Sequence, residues 1–202
     1  AFADALVTAN AVLQLKPSDL RAQQEVGELE IRLGHHAAAA ERARTLEGDF
    51  TDSPVGPGLR AKLALAQGRA QDAVDALNVA RARAPNMPEL AVALAQARLL
   101  AGDLETGLAE LTALADTHAA VQPVLADALL AAARWPEAAA ALERVLAQDA
   151  GNTAALNNLA WAYQQAGDAR AKATARRLLK AAPDDVASLD TAGWVLVQAG
   201  EA

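Results

Sequence analysis

Small and apolar side chains recur along this chain at helical spacing and, on a longer scale, at an interval near 34 residues. The clearest instance is a phrase used twice. LNNLAWAYQQAGD from Leu156 and LDTAGWVLVQAGE from Leu189 align at an offset of 33, with Trp161 over Trp194, Gln165 over Gln198 and Gly167 over Gly200. Gly34, Gly68, Gly102, Ala133, Gly167 and Gly200 then serve as register marks, spaced 34, 34, 31, 34 and 33 residues apart. Glycine suits the turn after a helix because it takes a positive φ without strain. Seven residues before each mark stands a small residue: Gly27, Ala61, Ala95, Ala126, Ala160 and Gly193. Five residues after it stands another in four repeats: Ala39, Ala73, Gly107 and Ala138. Small residues at these places let two helices approach closely. Larger apolar residues nine and twelve after the mark, as in Leu111/Leu114 and Leu142/Val145, share one helical stripe. Pro17, Pro85 and Pro183 end the second helix of a pair. The pattern predicts one helix hairpin per interval, stacked into a solenoid.

The order small residue, glycine, alanine, proline over 34 residues resembles the tetratricopeptide repeat (TPR) family, and the resemblance runs through essentially all 202 residues. It implies an all-α protein, a right-handed TPR α-solenoid of about twelve antiparallel helices. The repeats fall at 1–19 (partial), 20–53, 54–87, 88–118, 119–152, 153–185 and 186–202 (partial). Three places depart from the family pattern. Gly48–Gly58 reads as a long turn-rich link followed by a short helix. Glu30 and Arg98 stand where the family has a bulky apolar residue, with a one-residue slip of register as the alternative. The fifth repeat is one residue short after Gly167. Such arrays need polar caps, and neither end reads as one. The chain is therefore expected to be an uncapped fragment of a longer array. Its last helix, through Leu189, Leu196 and Val197, is expected to pack on another chain or on the first helix of a neighbouring copy.

Composition narrows the function classes. The apolar content, 53% of residues, is largely alanine, which suits a thin stacked array better than one bulky core. A net charge of −7 opposes nonspecific binding to nucleic acid or anionic membrane. The lack of cysteine excludes disulfides, thiolate metal sites and cysteine nucleophiles. No stretch is long and apolar enough to insert in a membrane, the most apolar one being broken by Pro123 and Asp127. AFADALVTAN lacks the basic start and cleavage site of a signal peptide.

Catalytic chemistry is not expected, and neither is a cofactor or a metal. His35 and His36 are adjacent, so on a helix they diverge by about 100° and chelate one ion poorly. Ser18, Ser53 and Ser188 lie in no nucleophile elbow, and SPVGPG has neither the strand nor the lysine of a phosphate loop. Asp184 and Asp185 suit a helix start.

In TPR proteins, as the resemblance implies, first helices line the concave wall and second helices the outer one. Residues six before the mark then face inward: Glu28, Lys62, Gln96, Asp127, Trp161 and Trp194. The C-terminal end of this wall is distinctive, with Trp161 and Trp194 on adjacent helices amid Asn157, Asn158, Gln164, Gln165, Asp190 and Gln198. Two readings stand side by side. The rings clamp an extended peptide while the amides pair its backbone, or both rings pack between neighbouring first helices. Trp135, at the start of a second helix, reads as packing. The TPR clamp for C-terminal carboxylates needs converging lysine, arginine and asparagine, and beyond Lys62 the inner wall is acidic or neutral. Arg170, Lys172, Arg176, Arg177 and Lys180 fall on a second helix, as a solvated face or a contact for an acidic partner.

The segment NNLAWAYQQAGDARAKATARRLLKAAPDDVASLDTAGWVLVQAG is similar to one bacterial subfamily, the TPR lipoproteins associated with exosortase/PEP-CTERM protein sorting and exopolysaccharide production. The resemblance implies a scaffold in the periplasm or cell envelope that binds a protein or peptide on its concave face; without it a cytoplasmic location stands. The alternatives are the TPR arm of a larger glycosyltransferase or polysaccharide-export polypeptide, and an element that self-associates through open solenoid ends.

Overall fold

A computed structural model describes residues 2–200; Ala1, Glu201 and Ala202, at the outer ends of the two partial repeats, lie outside the described residues. Twelve α-helices and no strand occur among the described residues. They are α1 (Phe2–Leu15), α2 (Leu20–Arg32), α3 (His36–Asp49), α4 (Val55–Ala66), α5 (Ala70–Arg83), α6 (Pro88–Leu100), α7 (Leu104–Thr117), α8 (Gln122–Ala131), α9 (Trp135–Gln148), α10 (Thr153–Gln165), α11 (Ala171–Ala181) and α12 (Val186–Gln198). A single 3-10 turn, Ala119–Val121, precedes α8. The all-α class and the number of helices agree with the periodicity.

Each register mark ends a helix in the same way. Gly34, Gly68, Gly102, Gly167 and Gly200 have φ between 69° and 89°, and Ala133 stands in at 55°. The amide of the mark donates to the carbonyl three residues back, as Gly34 does to Ile31 and Ala133 to Leu130. The next amide reaches five back, His35 to Glu30 and Arg134 to Leu129. This paired bonding closes the carbonyls that a helix end leaves open. Three of the first helices are started by side chains: Asp19 caps α2, Asn152 caps α10 and Asp185 caps α12, each accepting from an amide three residues on.

Two sequence expectations change. The link Gly48–Gly58 is short, because α3 continues through Asp49 and α4 already begins at Val55. Pro57 is accommodated in the first turn of α4, where an amide has no helical partner. Gly56 lies so close to α3 that a Cβ there would be 2.8 Å from the Glu47 backbone nitrogen. The helix that is short is α8, three residues shorter than α10, which absorbs the drop to 31 between Gly102 and Ala133. The missing residue after Gly167 has a similar effect: Ala169 and Arg170 form a turn, and α11 has 11 residues where α3, α5, α7 and α9 have 14.

The second change concerns register. No slip occurs at Glu30 or Arg98. Glu30 is buried and receives two hydrogen bonds from the Arg42 guanidinium, at 3.0 and 2.8 Å. Arg98 pairs with Glu110. Both pairs join the residue four before a mark to the residue eight after it, with the charges exchanged.

The chain divides into two compact units, residues 1–110 and 111–202, with the division inside α7. In the first unit, Ala9, Val26 and Leu29 join α1 to α2, and Ala43, Leu46 and Leu59 join α3 to α4. Ala61, Ala64, Ala73, Leu77 and Leu94 continue the core through α5 and α6. In the second unit, Leu125, Leu142, Leu156, Leu178 and Val195 are buried. The small residues seven before the mark are buried in five repeats, and Gly193 is exposed.

Candidate functional site

Trp161 on α10 and Trp194 on α12 occupy equivalent register positions, and the two first helices pack on each other. The caps Asn152 and Asp185 fix where these helices begin. At Asp185, the hydrogen bonds of Ser188 hold the carboxyl below the usual aspartate range. The indole rings meet with centroids 4.9 Å apart and planes tilted by 37°. Each tryptophan nevertheless keeps 38% of its surface exposed. The rings pack on each other and still present a face to solvent, so the two readings of the pair are compatible.

The polar candidates follow from helical spacing. Asn157, Asn158, Gln164 and Gln165 stand three or four residues from Trp161, and Asp190 and Gln198 four from Trp194, within one turn on the same faces. Gln165, Asp190 and Gln198 are exposed, while Asn157, Asn158 and Gln164 are half-buried. The Asn157 amide donates weakly to Asn158 Oδ1 at 3.4 Å, and Asn157 Oδ1 is buried without a partner. Thr153, Asn157, Asn158, Asp185 and Ser188 line a shallow cleft of about 280 Å³ beside them.

The same register position in the first unit holds Glu28 on α2 and Lys62 on α4, joined as an ion pair. Gln24 Nε2 also donates to Glu28, at 2.8 Å. Burial pushes the Glu28 carboxyl up, but Lys62 and Gln24 outweigh it and hold the group below the usual range. Lys62, the lysine weighed for a carboxylate clamp, is thus already engaged. A cleft next to this pair, containing Gly58 and Met87, was not singled out by the sequence pattern. Its signal was a glycine ten residues before a mark, a place that other repeats fill with a side chain.

Two members of the basic set, Arg170 and Arg177, are engaged within the chain. Arg170 lies 4.3 Å over the Tyr163 ring and forms ion pairs with Glu143 at 2.6 Å and Asp168 at 2.7 Å. The Tyr163 hydroxyl donates to Glu143, and burial followed by that carboxylate pushes the phenol well above its usual range. Arg170 holds Asp168 down at about 2. Arg177 donates to the Ala150 carbonyl at 2.7 Å. Trp135 is the first residue of α9, and His35 and His36 flank the start of α3. Among the described residues no group of three or more His, Cys, Asp and Glu could hold a metal ion. No helix among them is long and apolar enough to cross a membrane.

Residues 129–192 match the family model for the tetratricopeptide repeat. Helix pairs with the same turn at each mark continue through both units. The chain has the tetratricopeptide-repeat fold. Solved structures with this TPR fold include the C-terminal part of a TPR repeat-containing protein from Cytophaga hutchinsonii, with a TM-score of 0.73 at 13% identity. That match covers 94% of this chain and 78% of the other. A tetratricopeptide repeat protein from Parabacteroides merdae matches with a TM-score of 0.66 at 13% identity, covering 99% and 81%. YrrB, described as a TPR protein with an unusual peptide-binding site, matches with 0.65 at 13% identity, covering 90% and 96%. No curated protein sequence matches the chain. At these identities the likeness is one of fold.

Proposed function

We propose that this chain is a non-catalytic scaffold that holds an extended segment of a partner protein on the first-helix face of its second unit. The observation that carries this is the tryptophan pair, in contact and yet each 38% exposed. Tryptophans held against one another are preorganised, so little side-chain entropy is lost when a peptide lies across them. An extended peptide also brings unpaired amides and carbonyls. Gln165 and Gln198 offer both donor and acceptor to it, and a rotation of Asn157 would turn its unpartnered oxygen toward a peptide amide. YrrB shares the fold and has a peptide-binding site, which supports the class of ligand. The wording of residues 157–200 supports a place in the bacterial cell envelope, in protein sorting or exopolysaccharide production.

A pull-down from an envelope extract of the source bacterium tests this, comparing wild type with Trp161→Ala/Trp194→Ala. Circular dichroism first establishes that both are folded. Loss of a central aromatic anchor typically costs about 2 kcal/mol, roughly thirtyfold in affinity, so a captured protein should vanish with the variant. Equal capture by both chains would reassign the rings to packing alone. Recovery of the chain only in the cytoplasmic fraction would overturn the envelope assignment.

A further inference from the structure

A pocket in the first unit has a different chemistry. It is bounded by α2, α4, α5 and α6 and has a volume of about 250 Å³. Val55, Leu59, Leu65, Leu77 and Leu90 form its wall, with Met87 beside them, 43% exposed. Gly58 makes room for it. The equivalent residue elsewhere is Gln24, Val92, Pro123, Asn157 or Asp190, whereas a Cβ built at Gly58 meets nothing within 4 Å.

Size limits the occupant. Sites that enclose a whole small-molecule ligand run from roughly 300 to 1,000 Å³, so this pocket suits a single side chain. Charge limits it further. Glu28, Lys62 and Glu89 are the charged residues around the pocket, two carboxylates against one ammonium. Lys62 is bound to Glu28, while Glu89 is exposed and forms no ion pair among the described residues. A cation approaching the mouth finds an unmatched carboxylate, on a chain whose net charge is −7.

We propose that this pocket takes one aliphatic side chain, of leucine or methionine size, from a partner peptide whose adjacent lysine or arginine pairs with Glu89. The inference rests on the reading of the chain as a peptide-binding scaffold, but not on the tryptophans. Met87 adapts to such a guest because its unbranched thioether repacks at little cost. Gly58 acts as the specificity determinant, since any larger residue there occupies the space of the guest.

Met87 is the only methionine of the chain, so a 13C-methyl-methionine label gives one resonance at the pocket mouth. The probe is an acetylated, amidated hexapeptide Gly-Gly-Leu-Lys-Gly-Gly, titrated to millimolar concentration against the full chain. The Met87 methyl should shift saturably. Alanine in place of the peptide's leucine should weaken binding roughly fiftyfold, since three carbons leave the pocket at about 0.8 kcal/mol each. Glutamate in place of its lysine should weaken it several-fold, and Glu89→Lys should invert that preference. Gly58→Leu should abolish the shift without lowering the thermal midpoint, because leucine favours a helix more than glycine does. Should that variant melt lower, Glu89→Lys, on the exposed surface, decides alone. A Met87 resonance that stays still, that responds equally to the alanine peptide, or that keeps its lysine preference in Glu89→Lys overturns the proposal. Trp161→Ala/Trp194→Ala must retain the Met87 shift. A lost pull-down with an intact shift, or the reverse, therefore separates failure of one site from failure of the other.

Discussion

Six residues before the register mark, the first unit carries Glu28 and Lys62 at its first two marks and the second carries Trp161 and Trp194 at its last two. Both pairs meet across neighbouring first helices. One is an ion pair at the surface and the other a pair of indoles in contact. The positions four before and eight after the mark repeat the contrast at two of the first unit's three marks. There they hold Glu30–Arg42 and, charges exchanged, Arg98–Glu110, while the repeat between them has buried Ala64 and Ala76. The second unit fills them with Leu129 and Ala141, then Tyr163 and Ala175, all buried. The repeat determines which residues face each other and leaves the chemistry of the meeting open. The two units consequently offer a partner different surfaces, an acidic-rimmed apolar pocket in one and an aromatic, amide-flanked face in the other.

The sharpest way to break this comparison is to strand a charge. Glu30→Ala leaves Arg42 without its carboxylate, and removing one partner of a buried pair costs about 3–5 kcal/mol. Glu30→Leu/Arg42→Ala, which copies Leu129/Ala141, should be at least as stable as wild type by urea unfolding. If Glu30→Ala loses under about 1 kcal/mol, the pair is effectively solvated and the units differ less than described. A smaller effect is expected from copying the first unit onto the second. Trp161→Glu/Trp194→Lys should keep its helicity, lose about 1 kcal/mol of aromatic contact, and acquire a dependence on salt that wild type lacks at this position.

The register marks provide a third comparison. The first unit uses glycine throughout, while the second has Ala133 at a φ of 55°. Relieving that strain, Ala133→Gly should gain up to about 1 kcal/mol, and Gly68→Ala should lose a similar amount. Equal and negligible effects at both would show that the turn is not set by the mark. Acidification should give the smallest signal. The Glu28 carboxyl is held below its ordinary value of 4.5, so its contribution is present above that pH and is lost as pH falls through the depressed value. The fall in stability between about pH 5 and 3 should be shallower in Lys62→Ala, followed by thermal melts at low ionic strength. An unchanged slope would mean that Lys62 does not stabilise the Glu28 carboxylate.

Most of the fold was legible because it repeats. A helix end that needs a left-handed residue and a helix crossing that needs a small one are local demands, and each left a letter at a fixed interval. The misreadings came where two demands met. GDFTDSPVGPG looks like a turn, yet Gly56 is glycine because α3 lies against it, and Pro57 is tolerated because it falls in a first turn. Glu30 looked misplaced because its partner is twelve residues away, across a turn. A pair of opposite charges at that separation, repeated with reversed sign at Arg98 and Glu110, was the available signal.

The sequence by itself determined the number of helices, their hairpin order, the turn at each mark and the placement of Trp161 and Trp194 on equivalent turns of adjacent first helices. These follow from backbone geometry and the size of single residues. Only the tertiary structure decided that the two rings touch and remain exposed, that Glu30 and Arg98 are neutralised rather than out of register, and that Gly58 opens a pocket. Exposure, pairing and empty volume depend on where several distant side chains come to rest together, and no single position in the chain records that sum.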